Sequence, residues 1–370
     1  MKPGYDINDL VKKIKNDEEI KRDFHVHDTN NIQFNYSSTE IFEEDGTSSS
    51  RNTPLINLST QNGMIQLEMN DTMTTQLANN IQLPKSYFDK CLQKAPDLLR
   101  DNVQHWFDHE PKQRLIRAWG DTGRAYLSNA YATIDNFDVL QAIVPIADKH
   151  NMVVKDSYIT DNHMYMRCFM PNMTRDISKQ QKGDIVGLGF LAQNSETGLG
   201  KIKVSPILER LVCLNGMTVN DAKYTIQRKH IGSKRDMAFS AEVYRNETIV
   251  QQDRAWLMTM EDEMTHLFNG QTFEEITDRI IVSQDSAEVE RPQKAVEEIT
   301  KKHKFSEMES EAILEALLLG GDRTKWGMGN AVTNAAKQCT SVDRSIEMES
   351  IGWDIVNMKS RSWEDVALAA

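Results

Sequence analysis

The stretch from Arg114 to Met217 constrains the fold of this chain more than any other. Two alternating runs, Arg114 to Trp119 and Arg124 to Tyr131, flank Gly120-Asp-Thr-Gly123, a sequence suited to reversing the chain between two strands. Asp135 or Asn136 can then cap a helix that carries Phe137, Val139, Leu140, Ile143 and Val144, with Pro145 set to interrupt or kink it. Strand-like runs follow at Met152 to Ile159, Met164 to Met170 and Ile185 to Gln193. Another, Ile202 to Val204, comes after the turn Thr197-Gly198-Leu199-Gly200. Ile207 to Cys213 reads as a helix stopped by Asn215-Gly216. Hairpin, helix and then several strands predict an α+β fold whose mainly antiparallel sheet packs on helices.

The two ends read differently. Ile7, Leu10, Val11 and Ile14 predict a short amphipathic helix, after which His25-Val-His-Asp-Thr-Asn-Asn31 and Glu43 to Pro54 read as loops or a mobile arm. Leu55 to Leu58 and Met64 to Met69 suggest a small hairpin about Gly63. Helices are expected from Asp71 to Ile81, from Pro84 and over Leu98 to Phe107, and from Phe239 onward the pattern is helical. The resulting division is a polar arm with a short helix over 1–60, an α+β core over 61–238 and a helical module over 239–370.

A chain of 370 residues can bury a large core. Its net charge of -12 argues against coating nucleic acid or membrane with the whole surface, though a local basic groove remains open. Cys91, Cys168, Cys213 and Cys339 form no C-x-x-C pair and read as reduced thiols. No window is apolar enough to span a bilayer, so the expected setting is the cytoplasm, with no membrane partner.

Chemistry is hard to locate. His25, His27 and Asp28 could supply metal ligands, but too few in a segment read as mobile. His105 and His109 would share a helix face without the intervening glutamate of a metalloprotease motif. Gly187-Leu-Gly189 and Gly198-Leu-Gly200 do not continue into a phosphate-binding loop, and no nucleophile elbow is present. No cofactor and no metal is called for. The basic residues carry the clearer signal: Arg117, Arg124, Lys201, Lys203, Arg210, Arg228 and Lys229, with Trp119, Tyr126 and Tyr131 nearby. Cations that follow phosphates and rings that stack on bases are what a single strand requires. A solvated charged face, with the rings in the core, is the alternative reading.

Four phrases carry a resemblance. They are Arg124-Ala-Tyr-Leu-Ser-Asn-Ala-Tyr131 with Ile134-Asp-Asn136, and Gln193-Asn-Ser-Glu-Thr-Gly-Leu-Gly200 with Val204-Ser-Pro206. The others are Arg210-Leu-Val-Cys-Leu-Asn-Gly-Met217 and Trp326-Gly-Met-Gly-Asn-Ala-Val-Thr333. Over roughly residues 110 to 340 the chain resembles a phage- and plasmid-borne family of unknown function, which implies a setting in mobile elements. The order of elements is also similar to that of RecT- and Erf-like annealing proteins, a likeness of plan alone. The expected function is therefore non-enzymatic binding of single-stranded DNA in bacteriophage recombination or replication, by a homo-oligomer. Two alternatives stay open. One is a protein-interaction factor, either structural or an inhibitor of a host defence, that engages a host or phage protein. The other is an enzyme with a dispersed site using His163, Asp161 or Glu196.

Overall fold

The computed structural model describes residues 4–42, 48–60, 63–179, 183–211, 215–229 and 246–369. It is α+β, built on two sheets. The first contains β1 (Lys21–Val26), β2 (Ile32–Phe42), β3 (Ser48–Thr60), β4 (Gly63–Met69), β5 (Arg114–Trp119) and β6 (Thr122–Ser128), in the order β1-β5-β6-β4-β3-β2. Every pairing in it is antiparallel except the short parallel contact of β4 with β6. Helices α2 (Asp71–Asn80), α3 (Lys85–Lys94) and α4 (Pro96–His109) cover one face. Leu77, Phe88, Val103 and Phe107 from these helices pack there on Ile32, Phe34, Ile56 and Leu67.

Of the segments read as loops or a mobile arm, Ser48 to Pro54 is strand, while Glu43 to Thr47 lie outside the described residues. His25 and His27 flank the end of β1, and Thr29–Asn31 form a single 3-10 turn. The outer parts of β2 and β3 pair as a two-stranded ribbon, Ser37↔Thr53 through Phe42↔Ser48, which needs no apolar alternation to form. A cut at residue 60 falls inside the β3–β4 hairpin, where Ser59 faces Met64. A boundary at 238/239 lies outside the described residues, as do Cys213, His230, Lys234 and Arg235.

The second sheet holds β7 (Val153–Ile159), β8 (Met164–Asp176), β9 (Ile185–Asn194), β10 (Ile202–Arg210) and β11 (Asn215–Thr218), ordered β11-β10-β9-β8-β7. A short β12 (Ile226–Arg228) lies beside the first part of β10. The expected helix from Ile207 is therefore the second half of a strand as far as Arg210. Its apolar residues pair across to Gly187 through Gly189 of β9, and tertiary pairing overrides a spacing compatible with either state. One face of this sheet is buried by α1 (Ile7–Ile20) and α5 (Asn136–Lys149), with Leu10, Ile14, Val139 and Ile143 on Met166, Cys168, Leu188 and Phe190. The helix α5 runs on through Pro145, because Ile146 and Ala147 beyond it are buried.

The C-terminal helices divide in two. Met260 and Met264 of α6 (Asn246–Leu267) and Ile276 and Ile280 of α7 (Gly270–Ser283) join the core of the second sheet. A separate core is formed among α8 (Pro292–His303), α9 (Glu307–Gly320), α10 (Lys325–Ala335), α11 (Val342–Val356) and α12 (Ser360–Ala367). Where α10 crosses α11, a Cβ on Gly329 would stand 2.8 Å from the Gly352 carbonyl oxygen, so two glycines let the backbones meet. Among the described residues, no helix is long and apolar enough to cross a membrane.

Candidate functional site

The sheets meet at a buried cluster of charges. The β5–β6 register shifts between Arg117 and Ala118, leaving Arg124 unpaired in the ladder, and this irregularity turns its side chain into the space that Arg117 lines. Arg117 is only 4% exposed. Its Nε donates to Asp23 at 2.9 Å, one terminal nitrogen to Asp135 at 2.7 Å and the other to the Glu196 carbonyl at 3.1 Å. Lys21 pairs with Glu18, with Asp135 at 2.7 Å and with Glu196 at 3.5 Å. Burial works against the Arg117 charge, but Asp135 and Asp23 outweigh it and hold its pKa above the ordinary arginine value. Arg124 lacks such a pair: burial brings it down to about 10, only partly offset by Glu196 and Asp161. Its guanidinium lies over the Trp119 ring and donates to the Asp161 carbonyl. Burial and the neighbouring Asp135 push the Glu196 carboxyl up, against the pull of Lys21.

Uncharged groups complete the junction. Tyr131 donates to the Ser195 carbonyl at 2.8 Å, Asn194 to the Asn136 side chain at 2.9 Å, and Gln76 to the Thr197 carbonyl at 2.7 Å. Gly198 takes φ +77° in the turn that follows. Two of the four phrases noted in the sequence, around Arg124–Asn136 and Gln193–Gly200, thus meet here. The carboxylate oxygens of Glu18, Asp135 and Glu196 lie within 4.8 Å of one another, and the Lys21 ammonium pairs with all three. About 10 Å³ remains free, room for no more than one water. Chemically, this cluster fastens one sheet to the other.

A second fastening lies between β8 and α11. Arg167 reaches both oxygens of Glu349, at 2.8 and 2.9 Å, and Asp156 stands 3.6 Å from the same guanidinium. Close by, His163 Nδ1 is 3.0 Å and the Tyr165 hydroxyl 2.7 Å from Asp343 at the start of α11. Burial raises Asp343, but these two hydrogen bonds prevail and leave it below the usual carboxylate range. His163, Asp161 and Glu196, weighed as acid-base groups, make their contacts with different partners: Asp343, Arg124 and Lys21.

The structure does not bring the ten expected strand-binding residues onto one surface. Arg117 and Arg124 are buried in the junction, and Tyr126 and Tyr131 are 5% and 8% exposed, so neither phenol offers a free face to a base. Trp119 is covered by Arg124, and Arg210 pairs with Asp184. Four cations remain where β12 borders the first part of β10. Lys201 donates to Gln227 at 3.2 Å and Lys203 to Asn220 at 2.7 Å, both neutral amides. Arg228 lies 5.3 Å from the Trp256 ring centroid, and Lys229 is exposed. Burial, then the nearby Lys201, lower the Lys203 pKa, with Asp354 opposing. Asp354 also feels Lys302, a cation in the last turn of α8.

A family model described as a domain of unknown function (DUF932) matches residues 125–354. The chain belongs to the DUF932 family. The matched segment runs from β6 to α11, so it holds the whole second sheet, Glu196 and Glu349, while most of the first sheet precedes it. No curated protein and no solved structure matches the chain.

Proposed function

We propose that this protein binds single-stranded DNA at the β10–β12 edge, as a non-enzymatic factor in recombination or replication of a phage-like element. The observation that carries the reading is the pairing of Lys201 and Lys203 with amides instead of carboxylates. An ammonium disfavoured by burial and by a like charge gains when an anion arrives, and a phosphate backbone supplies anions at regular spacing. Lys229 continues the same edge, and Lys302 adds charge from α8. The binding surface is thereby smaller than the full set of arginines and lysines would give, and it excludes Arg117, Arg124 and Arg210.

Salt-titrated binding of a labelled oligonucleotide tests this. Wild type should bind with a steep dependence on salt, and Lys201→Ala/Lys203→Ala should lower that slope by about 1.4, roughly 0.7 for each lost phosphate contact on a single strand. Absence of binding at low salt would remove the proposal.

A further inference from the structure

On the far side of the first sheet, between the end of α2 and the helix α4, lies a cavity of about 360 Å³. That is within the range of small-molecule sites. Trp106, Phe107 and Tyr126 give it aromatic walls. Trp106 is 37% exposed, and its indole N–H has no acceptor among the described residues. Tyr126 is buried beside Arg114, whose guanidinium lies 5.4 Å from its ring centroid, and among the described residues its hydroxyl has no well-formed hydrogen bond.

Three amides, Asn80, Gln82 and Asn102, line the same space, and none of their side chains forms a hydrogen bond among the described residues. Each offers both donors and acceptors. Gln82 is also held at φ +56°. It occupies the left-handed position of a helix cap in which Leu83 N–H reaches the Ala78 carbonyl and Gln82 N–H the Asn79 carbonyl. Glycine is the usual residue there, so a glutamine adds backbone strain while presenting an amide at the cavity wall. The only charged groups of the lining are Glu110 and Lys112, which face each other at 3.4 Å.

We propose that this cavity takes a neutral, planar nucleobase, stacked against Trp106 and held at its edge by the amides. Aromatic stacking with amide donors and acceptors is how bases are read when they stand outside a duplex. The balanced charge of the lining disfavours a phosphate or a charged metabolite. The base can belong to a free nucleoside or to a strand. The inference does not rest on the lysine edge, since the cavity lies in the first sheet, and all of its lining but Tyr126 precedes the DUF932 segment.

Calorimetric titration with adenosine, guanosine, cytidine and thymidine, at low and high salt, tests the proposal on the full chain. Alongside them go short oligonucleotides and an abasic oligonucleotide of equal length. At least one nucleoside, or a base-bearing but not an abasic strand at high salt, should bind saturably. Trp106→Ala and Asn102→Ala, both at exposed positions of α4, should each weaken that binding on the order of tenfold, with thermal melting unchanged. Salt-insensitive binding of nucleosides assigns the site to free bases, and binding of strands alone assigns it to a base within a strand. No base-dependent binding, or binding equal in wild type and both variants, would overturn the proposal. Because the lysine edge is read by its salt slope and this cavity by base identity, either can fail without the other.

Discussion

Arg117 and Lys203 are both cations on strands, but their surroundings set them opposite tasks. Around Arg117 and Lys21 beside it four carboxylates, Asp23, Asp135, Glu196 and Glu18, and a carbonyl engage the two cations, and little free space remains. Around Lys203 the hydrogen-bond partner is an amide, Lys201 is near, and one carboxylate, Asp354, acts on it without forming an ion pair. In an acidic protein the first arrangement consumes positive charge to hold the fold together, and the second leaves it for an outside anion. The location of carboxylates, more than the count of basic residues, separates structure from recognition.

The largest effect should come from breaking the closed cluster. Arg117→Ala leaves Asp23 and Asp135 without their shared partner, and removing one member of a buried pair costs about 3–5 kcal/mol. Lys21 still faces Asp135, so a loss near the lower end, about 3 kcal/mol, is expected from urea unfolding. Lys229→Ala, at an exposed position, should change stability by less than about 0.5 kcal/mol. Equal losses from the two substitutions would erase the distinction between the regions.

That distinction could not be read from the sequence, for a physical reason. Arg117 meets Asp23 across 94 positions, and Arg167 meets Glu349 across 182. No local pattern reports such pairs, so Arg117 and Arg124 looked like part of a basic track. What local patterns govern was legible: the Gly120–Gly123 reversal between β5 and β6, the capped α5 and the C-terminal helices. The β2–β3 ribbon was not, because Ser37–Glu40 and Ser50–Thr53 hold a ladder by backbone pairing and leave no alternating apolar signal. Ile207–Arg210 failed in the opposite direction, a helical spacing absorbed into a strand by its neighbour β9. Glu196 drew notice as an acid-base candidate, but only the fold shows Lys21 beside it.

A smaller effect sharpens the contrast between paired and unpaired cations. Arg210→Ala removes a charge that Asp184 already engages, so its affinity for labelled single-stranded DNA should stay within about twofold of wild type. Lys203→Ala should weaken the same binding by more, and the difference should shrink at high salt as screening takes over. If Arg210 proves the more important of the two, the track follows the length of β10 and the Asp184 pair is broken when DNA binds.

The smallest effect is the most specific to Lys203. Its pKa in the fold is depressed below the ordinary lysine value of 10.5, first by burial and then by Lys201. Between that lowered value and 10.5 the unfolded chain holds the proton that the fold has given up, so the charged form burdens the fold and stability rises with pH across this window. A phosphate beside the ammonium acts in the other direction and draws the pKa back up. DNA binding on the alkaline side should therefore take up protons, and affinity should fall as pH climbs through the window. Calorimetry in two buffers of different ionisation enthalpy, across that window, measures the uptake directly. Lys203→Met should abolish it while stabilising the unbound protein by less than about 1 kcal/mol, a gain in stability at the expense of binding. Uptake that persists in the variant would assign the proton to another group and return Lys203 to the structural side of the comparison.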